Sequence, residues 1–266
     1  MSANLRFERN GPFARVTLWR PGVRNAFNAT LIQELQATFD SLAGEPPDAL
    51  RGVVLAGGGP TFCAGADVEW MRAAIGLGVE DNERDASAMQ AMFATIDACP
   101  VPVIARVQGA ALGGGMGLCA VSDIVVSTAD ATFGFTETRL GIIPAVISTF
   151  VLPKIGGSHA RALFATGERF NAERALRIGL VHEVVADEPA LDAAVDAVLD
   201  ELLAAAPTAV RAAKALLRTI HDLGPNGARE RTPGLIARQR TSPEGQEGLT
   251  AFLEKRPPAW TRDPSG

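Results

Sequence analysis

The chain has 266 residues, 47% of them apolar and 21% charged, enough to bury a large core as one domain or as one domain with an appendage. Its formal net charge of −5 offers no basic field to nucleic acid or to an anionic membrane surface. No apolar run reaches bilayer length, and Met1 to Arg6 lacks the basic-then-apolar pattern of a secretory signal, so a cytoplasmic protein is expected.

Leu5 to Arg9 and Phe13 to Trp19 are short apolar runs around the turn dipeptide Asn10-Gly11, which predicts an opening β-hairpin. Asn28 is placed to cap a helix whose apolar face is Leu31, Ile32, Leu35 and Phe39. Gly52 to Ala56 reads as a buried strand. Trp70 to Asp85 mixes charge and glycine with weak periodicity, which predicts a mobile surface segment that shapes any nearby pocket. A helix from Ala86 to Cys99 and a strand from Val101 to Val107 follow. Further strands are expected at Ile124 to Ser127, Ala131 to Phe135 and Leu180 to Val185. Helices are expected at Ala190 to Ala205, Thr208 to Leu223 and Gly245 to Arg256. Strands alternating with helices imply parallel β-structure with crossover units. The composition changes near residue 190, so residues 1–190 are expected to form the core and 191–266 a helical capping or oligomerisation region.

Two segments carry the chemistry. In Ala111-Leu112-Gly113-Gly114-Gly115-Met116-Gly117, successive glycines stand between a strand and an apolar helical run, so no side chain hides the N–H groups at the helix start. Phe62-Cys63-Ala64-Gly65-Ala66-Asp67-Val68 is a second small-residue corner after a strand. Two such corners could each aim one N–H at a single oxygen. Glu137, in Phe133 to Pro144, is a solvated charge, a partner for a neighbouring Arg such as Arg139, or a carboxyl lifted in pKa by Phe135, Ile142 and Ile143. Donors for a developing negative charge beside one acid/base group suggest chemistry on an activated carbonyl.

Other motifs are weaker. Gly115-x-Gly117-x-x-Ala120 matches a dinucleotide fingerprint in form only, without the acid expected on the next strand. The serine-hydrolase elbow and the phosphate loop are absent. His159, His182 and His221 fit no metal spacing, so no metal is expected. Cys63, Cys99 and Cys119 have no disulfide spacing and suit reduced, buried thiols.

Taken together, Cys63 to Asp67, Gln108 to Gly115 with Asp123, Phe133 to Pro144, Phe170 to Ala175, Gly179 to Val181 and Ala251 to Arg256 resemble the enoyl-CoA hydratase/isomerase (crotonase) family in order and spacing, over nearly the whole chain. The resemblance implies an α/β fold, a ClpP/crotonase-like spiral of ββα units with a C-terminal helical region, assembled as a homotrimer or homohexamer. It implies an acyl-CoA thioester substrate and no cofactor, coenzyme A being part of the substrate. The thioester carbonyl would lie between the N–H groups of Ala66 and Gly114, with Glu137 catalytic. Arg24, Ala26, Ala64, Asp67, Val68, Gly113 and Gly117 would line the substrate, and Lys255 would approach coenzyme A from a neighbouring subunit.

Where two-acid hydratases carry their first catalytic glutamate, this chain has Gly117. The stretch Glu137 to Ser148 resembles the bacterial branch that includes methylglutaconyl-CoA and isohexenylglutaconyl-CoA hydratases, which also lack the first acid and where a carboxylate on the substrate could help to orient water. The implied activity is hydration of a 2,3-unsaturated acyl-CoA. Isomerisation of 3-enoyl to 2-enoyl-CoA and non-catalytic acyl-CoA binding stand as alternatives.

Overall fold

A computed structural model describes residues 4–261. The expected hairpin is present as β1 (Leu5–Asn10) and β2 (Phe13–Leu18), antiparallel with Asn10 opposite Phe13. From β2 the main sheet continues in parallel through β3 (Gly52–Gly57), β4 (Val103–Val107), β6 (Ile124–Thr128) and β9 (Glu183–Val185). A second sheet of short strands, β5 (Ala110–Leu112), β7 (Thr132–Gly134) and β8 (Arg169–Asn171), stands beside it. All of β3 and β4 is buried, which accounts for the unbroken apolar sequence of β3 and for that of β4 apart from Arg106.

Helix α1 (Ala29–Ala43) buries Leu31, Ile32, Leu35, Phe39 and Leu42, and Asn28 caps it by accepting from the Leu31 N–H at 2.9 Å. The segment expected to be irregular is instead α2 (Val68–Ala74) and the first half of α3 (Val79–Asp97). Glu80 and Asp81 favour the N-terminus of α3, but its buried face begins only at Met92, so periodicity cannot announce the helix earlier. Helix α4 (Gly114–Val121) is buried almost throughout and packs on α5 (Ala145–Thr166). The short α6 (Ala172–Arg177) leads into β9.

The final third holds α7 (Glu188–Ala204), α8 (Pro207–Thr241) and α9 (Pro243–Glu254). Helix α8 extends well past the expected Leu223 because a kink at Gly224 (φ 66°) joins two helical segments, the second too polar to show an apolar face. Leu191 and Val195 of α7 bury themselves against Val54, Ile104 and Val126 of the sheet. Arg106 of β4, itself buried, pairs with Asp192 at 2.7 Å and with Glu188 at 3.3 Å. Among the described residues no helix is long and apolar enough to cross a membrane.

Buried Arg51 secures the end of α7. Its Nη2 donates to the carbonyls of Leu202 (2.8 Å), Leu203 (3.1 Å) and Ala205, groups with no partner inside the helix. Replacing Arg51 by Met leaves these carbonyls unpaired, and unfolding in urea is expected to show a stability loss of roughly 2–3 kcal/mol with little change in slope.

Candidate active site

The site is built where short backbone ladders meet. Phe27 and Ala66 form an isolated parallel bridge: the Phe27 N–H donates to the Gly65 carbonyl at 2.7 Å, and the Asp67 N–H to the Phe27 carbonyl at 2.9 Å. Cys63 bridges Ala111 in the same way, and Ala111 pairs in turn with Phe133 of β7. The residues flanking Ala66 are thus tied to Phe27, and in an extended chain its own N–H points the other way. Among the described residues, the Ala66 N–H donates to no backbone carbonyl. Neither does the N–H of Gly114, the first residue of α4, where no acceptor exists within the helix.

Glycine is required at these corners. Gly113 has φ 50° and ψ −116°, and Gly65 has φ 95°; a methyl group on Gly65 would stand 2.9 Å from the Leu112 carbonyl oxygen. A Cβ on Gly114 would lie 2.8 Å from the ring of Phe27. The Phe27 ring meets Phe93 edge-on, with centroids 6.0 Å apart. Around Ala66, buried Asn25 donates to the carbonyls of Gly58 (2.9 Å) and Thr61 (2.7 Å). Asp67 caps α2 and pairs with Arg20 at 2.7 Å. Burial pushes the Asp67 carboxyl upward, but the Arg20 guanidinium and the Glu69 N–H outweigh it and hold the group below its ordinary value.

Glu137 lies on a single 3₁₀ turn, Thr136–Leu140, just after β7. A methyl placed on Gly113 would be 3.5 Å from its Oε1, so the carboxylate stands over the glycine corner. Its Oε2 is buried with no hydrogen-bond partner in the chain. Burial pushes this carboxyl above its ordinary value, against a weaker pull from its own N–H.

A cavity of about 390 Å³ joins these groups, lined by Ala64, Gly65, Ala66, Gly113, Gly114 and Glu137. Its remaining wall comes from α2, α3 and the segment leading into α5: Trp70, Met71, Asn82, Asp85, Met89, Ile143 and Val146 among others. Glu137 and Asp85 are the carboxylates of the lining, and no Lys, Arg or His lies in it.

Of the residues expected around a substrate, Ala64, Ala66, Gly113, Gly114 and Glu137 share this cavity, and several others do not line it. Gly117 is buried in α4, where a Cβ would stand 2.5 Å from Ile147 and 2.6 Å from Phe93, so it touches apolar side chains and not the cavity. Asp67 is turned to Arg20, and buried Ala26 gives its carbonyl to the same guanidinium. Arg24 and Val68 are exposed, and Arg24 accepts from the Ala64 N–H at 3.0 Å. Lys255 is exposed on the C-cap of α9. Asn82, Asp85 and Met89 escaped individual notice because they fall on the polar first half of α3; their spacing, continued to Phe93, is the signal that finds them.

The three thiols are free and buried, and burial pushes those of Cys63 and Cys119 up to about 12.

Comparison with known proteins places the whole chain in a family. The model of the enoyl-CoA hydratase/isomerase family matches residues 8–263. A protein of Rhodobacter capsulatus named "Probable enoyl-CoA hydratase" is 34% identical over 265 residues, covering 97% of each chain. The crystal structure of an enoyl-CoA hydratase from Shewanella pealeana superposes with a TM-score of 0.91 at 37% identity, covering 97% of this chain and 96% of that one. The structure of Pseudomonas aeruginosa AtuE gives 0.93 at 37% identity, covering 97% and 100%. The chain belongs to the enoyl-CoA hydratase/isomerase family and has the crotonase fold.

Proposed function

We propose that the chain is a hydratase of 2,3-unsaturated acyl-CoA thioesters that works with a single carboxylate. The observation that carries this reading is one cavity holding two unclaimed backbone donors, Ala66 and Gly114, and a carboxylate, Glu137, with a buried unpaired oxygen. The thioester oxygen would accept from both N–H groups, which stabilise the negative charge that grows on it as the enolate forms. Glu137 would take a proton from water, whose hydroxide adds to C3, and return that proton to C2. One water is consumed and Glu137 ends as it began. A raised carboxyl pKa suits such a base, because it must also act as the acid in the second half.

Gly117 supports the single-acid form. The space where a first glutamate would begin is filled by Phe93 and Ile147. The coenzyme A portion would leave across Arg24 to Ala26 and Ala64 to Val68, and exposed Arg24 suits its phosphates. In the trimer or hexamer that the resemblance implies, Lys255 would serve a neighbouring copy. An isomerase also needs only one proton carrier, so product mass decides. 2-Enoyl-CoA is expected to gain one water, whereas conversion of 3-enoyl-CoA to 2-enoyl-CoA without gain in mass would favour isomerisation. Binding without turnover of either would favour a non-catalytic role.

Four further outcomes are expected. Glu137→Gln lowers kcat by about 10²–10⁴ while coenzyme A thioesters still bind, as titration calorimetry would show. In the wild type, activity falls toward acid through the Glu137 pKa, so the acid limb of the rate profile lies above the ordinary glutamate value of about 4.3. The folded pKa is raised, so ionising Glu137 costs stability as pH rises through that window, and the cost persists above it. Glu137→Gln should therefore melt no lower than wild type at pH 7 while losing activity. Gly117→Glu is expected to destabilise by at least ~3 kcal/mol without adding activity, read by urea unfolding, because the new side chain must displace Phe93 or Ile147 and bury a charge.

A further inference from the structure

The cavity holds a second carboxylate that the proposed reaction does not use. Asp85 lies on α3, and with Asn82, Ala86 and Met89 it forms the face of that helix walling the cavity. The same stripe runs on to Phe93, which meets Phe27, whose ring lies against Gly114. Phe93 therefore marks the reacting end. Asp85, eight residues earlier, stands about 12 Å back along the helix axis, where an acyl chain's far end would lie.

Nothing in the lining offsets the charge of Asp85. No Lys, Arg or His is present there, and among the described residues its carboxylate makes no ion pair or hydrogen bond. The adjacent Arg84 is paired with Asp81 at 3.1 Å. Asn82 is turned to the backbone, its Nδ2 donating to the carbonyls of Leu77 (3.2 Å) and Gly78 (3.0 Å). An acyl group ending in a carboxylate would find no cation here and would lie between two acids. A neutral chain would meet Trp70, Met71 and Met89.

We infer that Asp85 is a specificity-determining residue that turns away acyl groups ending in a carboxylate and admits neutral ones. The inference rests on reading the cavity as an acyl-thioester site, and it runs against the carboxylated substrate that the single-acid branch suggests. Octanoyl-CoA and octanedioyl-CoA test it: both carry an eight-carbon acyl chain long enough to approach Asp85, they differ at the terminal group, and neither has a double bond to hydrate. Titration calorimetry on wild type is expected to give a Kd ratio, octanedioyl over octanoyl, of about 30 or more. Asp85→Asn should lower that ratio about tenfold, and Asp85→Lys about a hundredfold. A ratio cancels general damage to the cavity. A wild type that favours octanedioyl-CoA, or a ratio unmoved in both variants, overturns the inference. If neither thioester binds, the acyl-thioester reading falls as well. If both bind but 2-octenoyl-CoA is not turned over, the hydratase reading alone fails, and the ratios still judge Asp85.

Discussion

The site depends on one short backbone contact, the bridge between Phe27 and Ala66. Two hydrogen bonds hold the chain on either side of Ala66 extended, and that alone turns its N–H toward the cavity. The same Phe27 places its ring against Gly114, where a Cβ would collide with it. One residue thus sets the direction of the first donor and the closeness of the second. Arg20, Asn25 and Asp67 are polar groups enlisted to keep this contact in register; their hydrogen bonds close on loop carbonyls, a helix N-terminus and one another. Strand pairing so brief has little stability of its own and depends on the packed aromatic layer behind it.

Helix α4 shows how burial decides chemistry. Nearly all its residues are buried, including Gly117, and its side facing Phe93 and Ile147 leaves no room for an acid. With that position closed, the carboxylate at the glycine corner is Glu137, which reaches it on a 3₁₀ turn. The α3 wall carries Phe93 and therefore shapes the reacting end, the acyl space and the missing acid together.

Much of this was legible in the sequence, for identifiable reasons. The hairpin, α1 with its Asn28 cap, and strands β3, β4 and β6 show strong apolar patterns or definite turn and cap residues. The glycine corners and Glu137 stood out because bare backbone and a carboxylate in apolar company are chemically unusual. What stayed hidden is what tertiary context alone supplies. Strands β5 and β8 have three residues each, too few for any period. The first half of α3 and the second half of α8 are polar on most sides. Gly117 read as part of a ligand loop because sequence cannot say that Phe93, twenty-four positions away, occupies its face.

The buried thiols bear on the same chemistry. Activated acyl groups transfer readily to free thiolates, so a protein that holds a thioester beside its own sulfur risks acylating itself. Cys63 belongs to the very corner that presents Ala66, and Cys119 to the helix that presents Gly114. Both are fully enclosed and kept as neutral SH groups. The fold carries two intrinsically reactive atoms on the segments that present its donors and removes their nucleophilicity by exclusion from water.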